Sequence, residues 1–166
     1  MLRLFWYTDQ INFPIIDKPE NEKAKILFQL KRHLQEEKAD DIKWVENKIS
    51  FSGGIFRFVS NWNPLIFISK GEIEIVEENH QIIVVFHLFL LQVLTVSTLA
   101  AAFLGLMILP FPLNILIKIL VIVGVWLWFV GLNYILAISR FHKLIHKAWT
   151  KAYQFDKNSY MAEWYK

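Results

Sequence analysis

The 166-residue chain contains no cysteine. That absence excludes a disulfide framework and thiolate chemistry, and it fits a domain that sits in the cytosol. Catalytic signatures are missing as well: there is no G-x-S-x-G, P-loop, H-E-x-x-H or G-x-G-x-x-G anywhere in the chain. The sequence therefore gives no basis for an enzyme, and no cofactor is expected. Glu72 and Glu74 alternate along one strand, as on a solvated sheet face, and not as an acid/base pair. His142 and His146 have i, i+4 spacing, but two imidazoles without a third ligand read as surface residues, so no metal is expected.

Charge is also absent over long stretches. No Asp, Glu, Lys or Arg lies between Glu78 and Lys118, nor from Ile119 to Ser139. Each run exceeds the roughly 20 apolar residues that a membrane-crossing helix requires. They predict two spans, 84–109 and 113–138, joined by LPFPLN, a turn with two prolines and no charge. The first run lies too far along the chain for a signal peptide, and no cleavage site follows it. Beyond the second run come Arg140, Lys143, Lys147, Lys151, Lys157 and Lys166, opposed by Asp156 and Glu163 alone. That basic excess places this side in the cytoplasm, and two spans put both termini there. The expected location is a bacterial inner membrane.

The charged part of the chain is N-terminal. Residues 1–81 hold 11 basic and 13 acidic side chains, a net −2 that argues neither for nor against this orientation. Within 19–40, Ile26, Leu27, Phe28, Leu30 and Leu34 recur at helical spacing, and Asp17, Pro19 and Glu20 mark the start. From Asp41 the pattern has period two: DIKWV, KISF, GIFRFV, PLIFIS, GEIEIVE and QIIVVF read as strands, with EENH (77–80) as a hairpin turn. The expected fold class is an α+β membrane protein. A cytoplasmic domain of one helix and an antiparallel sheet (1–83) is followed by a transmembrane hairpin and a basic amphipathic tail (139–166). The last strand runs directly into the first span. Lys31, Arg32, Arg57 and Lys70, with Trp44 and Trp62, are candidates for cation and stacking contacts to an anionic ligand or oligonucleotide. The competing reading packs Trp62 on the small core.

Small residues crowd the centre of the first span, LTVSTLAAAFLG. On a helix of roughly 100° per residue, His87, Thr95, Thr98, Ala101, Ala102 and Gly105 gather on one side. Ser97, Ala101 and Gly105 form a small-xxx-small ladder along its flank, the pattern that brings helix backbones together. Two readings follow. In one, this face packs against the second span, where Gly124 and Gly131 receive it. In the other, several copies assemble and the face lines a pore, with Lys118 and Asn133 on a protein-facing edge of the second span. The tail repeats the choice: Arg140, Lys143, Lys147 and Lys151 form a basic helix face suited to an anionic leaflet or, in an oligomer, to a positive ring at the inner mouth.

A short cytosolic α+β domain, an uncharged hairpin and a basic tail together resemble, in architecture, small membrane effectors of bacterial anti-phage defence operons. The resemblance implies a signal-producing enzyme as operon partner and a nucleotide or oligonucleotide as ligand, and it carries over no site residue. The sequence thus leads to the expectation of a homo-oligomeric channel gated by its cytoplasmic domain. The alternative is a non-conducting anchor whose soluble domain binds a protein.

Overall fold

The computed structural model describes residues 5–15, 19–53 and 65–164, with backbone alone from 154 onward. Five strands form one antiparallel sheet: β1 (Trp6–Pro14), β2 (Asp40–Val45), β3 (Lys48–Ser52), β4 (Lys70–Glu78) and β5 (Gln81–Phe89). Their order is β1-β5-β4-β3-β2. The β4–β5 hairpin turns at Asn79 and His80, which both take positive φ (51° and 58°). That geometry matches the twist of the flanking strands and suits Asn well. β1 then pairs along all of β5, from Trp6 opposite Phe89 to Pro14 opposite Gln81. Sequence periodicity began the sheet only at Asp41, so β1 is an addition. Its alternation of Tyr7, Asp9, Ile11 and Phe13 with Trp6, Thr8, Gln10 and Asn12 carries only two aliphatic or aromatic inward positions beyond Tyr7.

Helix α1 (Pro19–Glu36) starts at a proline with Glu20 and Glu22 in its first turn, where they complement the N-terminal dipole. It ends where Lys38 takes φ 58°. Ile26, Leu27, Leu30 and Leu34 are buried as expected, but Phe28 is exposed while Gln29 and His33 turn inward. At roughly 100° per residue Phe28 falls almost opposite Leu30 and Leu34, so the helix cannot bury all three. PLIFIS is not a strand over its described part. Leu65, Ile66 and Phe67 form a turn, closed by Ile68 N–H to the Leu65 carbonyl at 3.0 Å. Leu65 and Ile68 are buried there and fill the core beside β3. GIFRFV falls outside the described residues.

Two helices are long and apolar enough to cross a membrane, α2 (Leu91–Ile108) and the first part of α3 (Ile115–Trp164). The first expected span began at residue 84, but β5 holds 84–89 in the sheet and the helix starts at Leu91. Ladder pairing with β1 and β4 satisfies the backbone of 84–89, so this hydrophobic stretch has no need to be helical. α3 continues from the second span into the tail as expected, but the tail packs on the sheet, which was not expected. The whole of α3 is a single 50-residue helix, about 75 Å long at 1.5 Å per residue, and its second half returns to the sheet. Phe141, Leu144, Ile145, Ala148 and Ala152 are buried on one stripe. Phe141 stacks on Phe51 of β3 (5.9 Å) and meets Phe86 of β5 (5.3 Å), while Trp149 stacks on Phe13 of β1 (4.9 Å). The tail is therefore not a separate helix lying on a bilayer. Together with α1 it covers one face of the sheet, and the sheet domain takes in the described residues up to 89 and the end of α3.

Candidate functional site

The antiparallel pair α2/α3 is built on the small-residue ladder. Val93, Ser97, Ala101 and Gly105, each four residues apart, are the residues of α2 that are buried. Gly105 lets the helices meet, since a Cβ there would stand 3.2 Å from Ile122 Cδ1. Ser97 has no accessible surface, and its Oγ lacks a hydrogen-bond partner among the described residues. The helices approach closely along this seam. Gly124 and Gly131 do not receive the ladder, because a Cβ on either would meet nothing within 4 Å. They lie on the exposed side of α3.

Of the other small and polar residues of α2, Gln92 and Ala100 are half-buried and three turn outward. Thr95, Thr98 and Ala102 are exposed. Thr95 Oγ1 donates to the Leu91 carbonyl (3.3 Å), and Thr98 Oγ1 accepts from Trp126 Nε1 (3.1 Å). His87 does not join them. It belongs to β5, opposite Thr8, and its Nδ1 shares a 2.8 Å hydrogen bond with Thr8 Oγ1. On α3, Lys118 Nζ donates to the Leu109 carbonyl at 2.7 Å. It thereby caps the end of α2, where helix carbonyls lack partners. Asn114 caps the start of α3, its Oδ1 accepting from Leu116 N–H at 3.0 Å. Asn133 is half-buried.

Outside the seam the two helices expose bulky apolar side chains, among them Leu99 (58%), Phe103 (63%), Leu106 (67%) and Leu120 (71%). Side chains of this size and number on one contiguous surface require an apolar environment or a partner. At their lower end the helices enter the sheet domain through two covalent routes. β5 reaches α2 across Leu90 alone, whose N–H donates to the Phe5 carbonyl (2.9 Å). α3 passes through without a break.

A polar cluster at this junction escaped the sequence reading because half of it lies on β1. Tyr7 OH donates to Asp9 Oδ2 at 2.6 Å, and His142 Nε2 lies 3.1 Å from the same oxygen. Burial, then the Asp9 hydrogen bond and charge, push the Tyr7 hydroxyl up to about 12. The Tyr7 hydrogen bond holds the Asp9 carboxyl below its ordinary range, against a smaller opposing effect of burial. Tyr7 also meets Tyr134 edge-on (6.1 Å), and Phe86 meets His142 likewise (5.2 Å). His142 is thus a tie from α3 to β1. Among the described residues no three His, Asp or Glu side chains converge as metal ligands would.

The residues expected to hold an anionic ligand are dispersed. Lys31 Nζ lies 5.7 Å from the Trp44 ring centroid, and Arg32 pairs with Glu36 at 3.2 Å. Lys70 lies in register with Phe89 and Ser52 and points, with Glu72, to the sheet face opposite α1. Arg57 and Trp62 lie outside the described residues. Of the basic residues on α3, Lys143 and Lys147 are exposed, and Arg140 and Lys151 half-buried. Lys151 and Lys147 act on α1 rather than facing away: His33 is held below its ordinary value first by burial and then by Lys151. Comparison with protein families, with characterised proteins and with solved structures returns no match to this chain.

Proposed function

We propose that this chain is a membrane-anchored assembly subunit: the α2/α3 hairpin crosses the bilayer and holds the sheet domain rigidly at its surface, where that domain engages a protein partner. The observation that carries the reading is the continuity of α3, which belongs at once to the apolar hairpin and to the core beneath the sheet. A flexible tether would need neither that helix nor the one-residue passage from β5 to α2. The exposed apolar surface of the hairpin supports its burial in lipid. Arg140, Lys143 and Lys147 beyond it support a cytoplasmic sheet domain, in a bacterial inner membrane. Ala101 and Gly105, two residues of the face that suggested a pore, are buried inside one hairpin, which weakens the argument for a channel.

A second reading rests on Thr95, Thr98 and Ala102, which form a small and partly polar stripe outside that seam. In an oligomer this stripe would line a conducting path, gated by the sheet domain in response to a nucleotide or oligonucleotide made by a partner enzyme. Planar-bilayer recording of the full chain separates the two. The anchor reading expects carbonate-resistant membrane insertion and no discrete currents. Currents that Ala102→Trp abolishes would replace it with the channel reading.

A further inference from the structure

The face of the sheet turned away from α1 and α3 changes character along its length. At the hairpin end Trp6, Phe89 and Lys70 lie in one row across three strands. The Trp6 and Phe89 rings are 5.2 Å apart, and Trp6 is 43% exposed. The next row is polar, with Thr8, His87 and Glu72, and Glu72 is paired to Lys48 at 2.8 Å. Glu74 and Glu78 follow toward the far end. The aromatic pair thus marks one end, in a row that continues to Ser52 and Asp40, while Lys48 stands beside Glu74 in the third row.

The aromatic row also has a fixed place relative to the hairpin. Phe89 is separated from α2 by Leu90 alone. α2 has 18 residues, about 27 Å of helix, against a hydrocarbon core of roughly 30 Å. Such a helix has no spare length, so the residues flanking it reach the headgroup layer. Tryptophan is enriched at that layer because its ring is apolar and its N–H polar, and a lysine beside it meets lipid phosphate.

We propose that the hairpin end of this sheet face is itself a lipid-contacting surface, with Trp6 and Phe89 seated in the headgroup layer and Lys70 against phospholipid phosphate. This inference rests on the membrane-anchored reading. It adds that the sheet stands with one end in the interface and the other held away from it.

The chain has no cysteine, so single nitroxide labels test the depth of each row. Ser52→Cys, Glu74→Cys and Glu78→Cys are labelled one at a time in the full chain, reconstituted in phosphatidylcholine–phosphatidylglycerol vesicles, with Leu99→Cys as the hydrocarbon reference. Ser52 lies in register with Lys70 and leaves Trp6, Phe89 and Lys70 intact. The ratio of collisions with oxygen to collisions with a water-soluble nickel chelate is expected to be several-fold higher at 52 than at 78, with 74 between. Trp6→Ala is expected to lower the ratio at 52 toward that at 78. Equal ratios at 52 and 78, with Leu99 in lipid, would overturn the inference and leave the anchor reading standing. An unchanged ratio at 52 after Trp6→Ala would remove Trp6 from the contact and overturn it as stated. An aqueous reading at Leu99 would overturn the anchor reading and this inference together.

Discussion

A single atom decides the outcome at several positions. Gly105 and Gly124 both sit in apolar helices, yet only a Cβ at Gly105 has a neighbour, Ile122. Gly105→Leu is expected to force the seam apart at a cost of about 1–3 kcal/mol. Gly124→Leu should be close to neutral. Unfolding of the two variants in mixed micelles, followed by circular dichroism, checks the difference. Gly71 presents the same logic in the sheet, since a Cβ there would come within 2.2 Å of the Phe51 ring. That ring is one of two on which Phe141 rests. Phe141→Ala leaves a cavity among Phe51, Phe86 and Ile145, and it is expected to destabilise the sheet domain by about 3–5 kcal/mol. A chemical-denaturation midpoint for this variant beside the parent chain measures it.

The pairing of α1 with α3 has a built-in acid sensitivity. His33 is 3% exposed, hydrogen-bonded through Nδ1 to Glu36 at 2.9 Å, while its Nε2 has no partner among the described residues. Burial and the nearby Lys151 favour the neutral ring, with Glu36 opposing them. The unfolded chain binds this proton more readily than the folded one, so stability is full above the ordinary imidazole value of 6.5 and falls as pH drops below it. The loss levels off once the folded ring is also protonated. Asp9, held below its ordinary 3.8, keeps its contribution until the pH falls into that lower range. Urea midpoints from pH 7.5 to 4.5 (roughly the window these two directions define) should therefore decline for the parent chain. His33→Gln should flatten the decline; an equal slope in that variant would assign it to other groups.

At the scale of the whole molecule, α3 belongs to both the hairpin and the sheet domain. Truncation after residue 138 would remove only a surface appendage if the tail were separate. In this architecture it strips Phe141, Leu144, Ile145 and Ala148 from the core, and the sheet domain is expected to lose its cooperative unfolding transition. The hairpin invites a second test at the same scale. Cysteines at Thr98 and Ala102 should resist water-soluble thiol reagents as strongly as one at Phe103 if the outer face of α2 meets lipid. Selective labelling at 98 and 102 would point to a water-filled path.

Local chemistry was enough to find α1, the four strands from Asp40 to Phe89, a hairpin turn within 77–80 (of which Glu77 and Glu78 belong to β4) and two helices of membrane-crossing length. Each depends on periodicity or turn preference, which neighbours along the chain express. The ladder of Ser97, Ala101 and Gly105 was legible for the same reason. Four other features were settled only by tertiary structure. β1 needed its partner β5, because a strand's pairing lies in the chain it borders. The boundary at Leu91 needed β1 and β4, since VVFHLF suits a strand or a helix until ladder bonds claim its backbone. The fate of the ladder depended on which face of α3 meets it: Ile122 stands against Gly105, while Gly124 and Gly131 lie on the exposed side. The basic tail, read from its charges, proved to be a core element, because the apolar stripe on its other face found a sheet to cover.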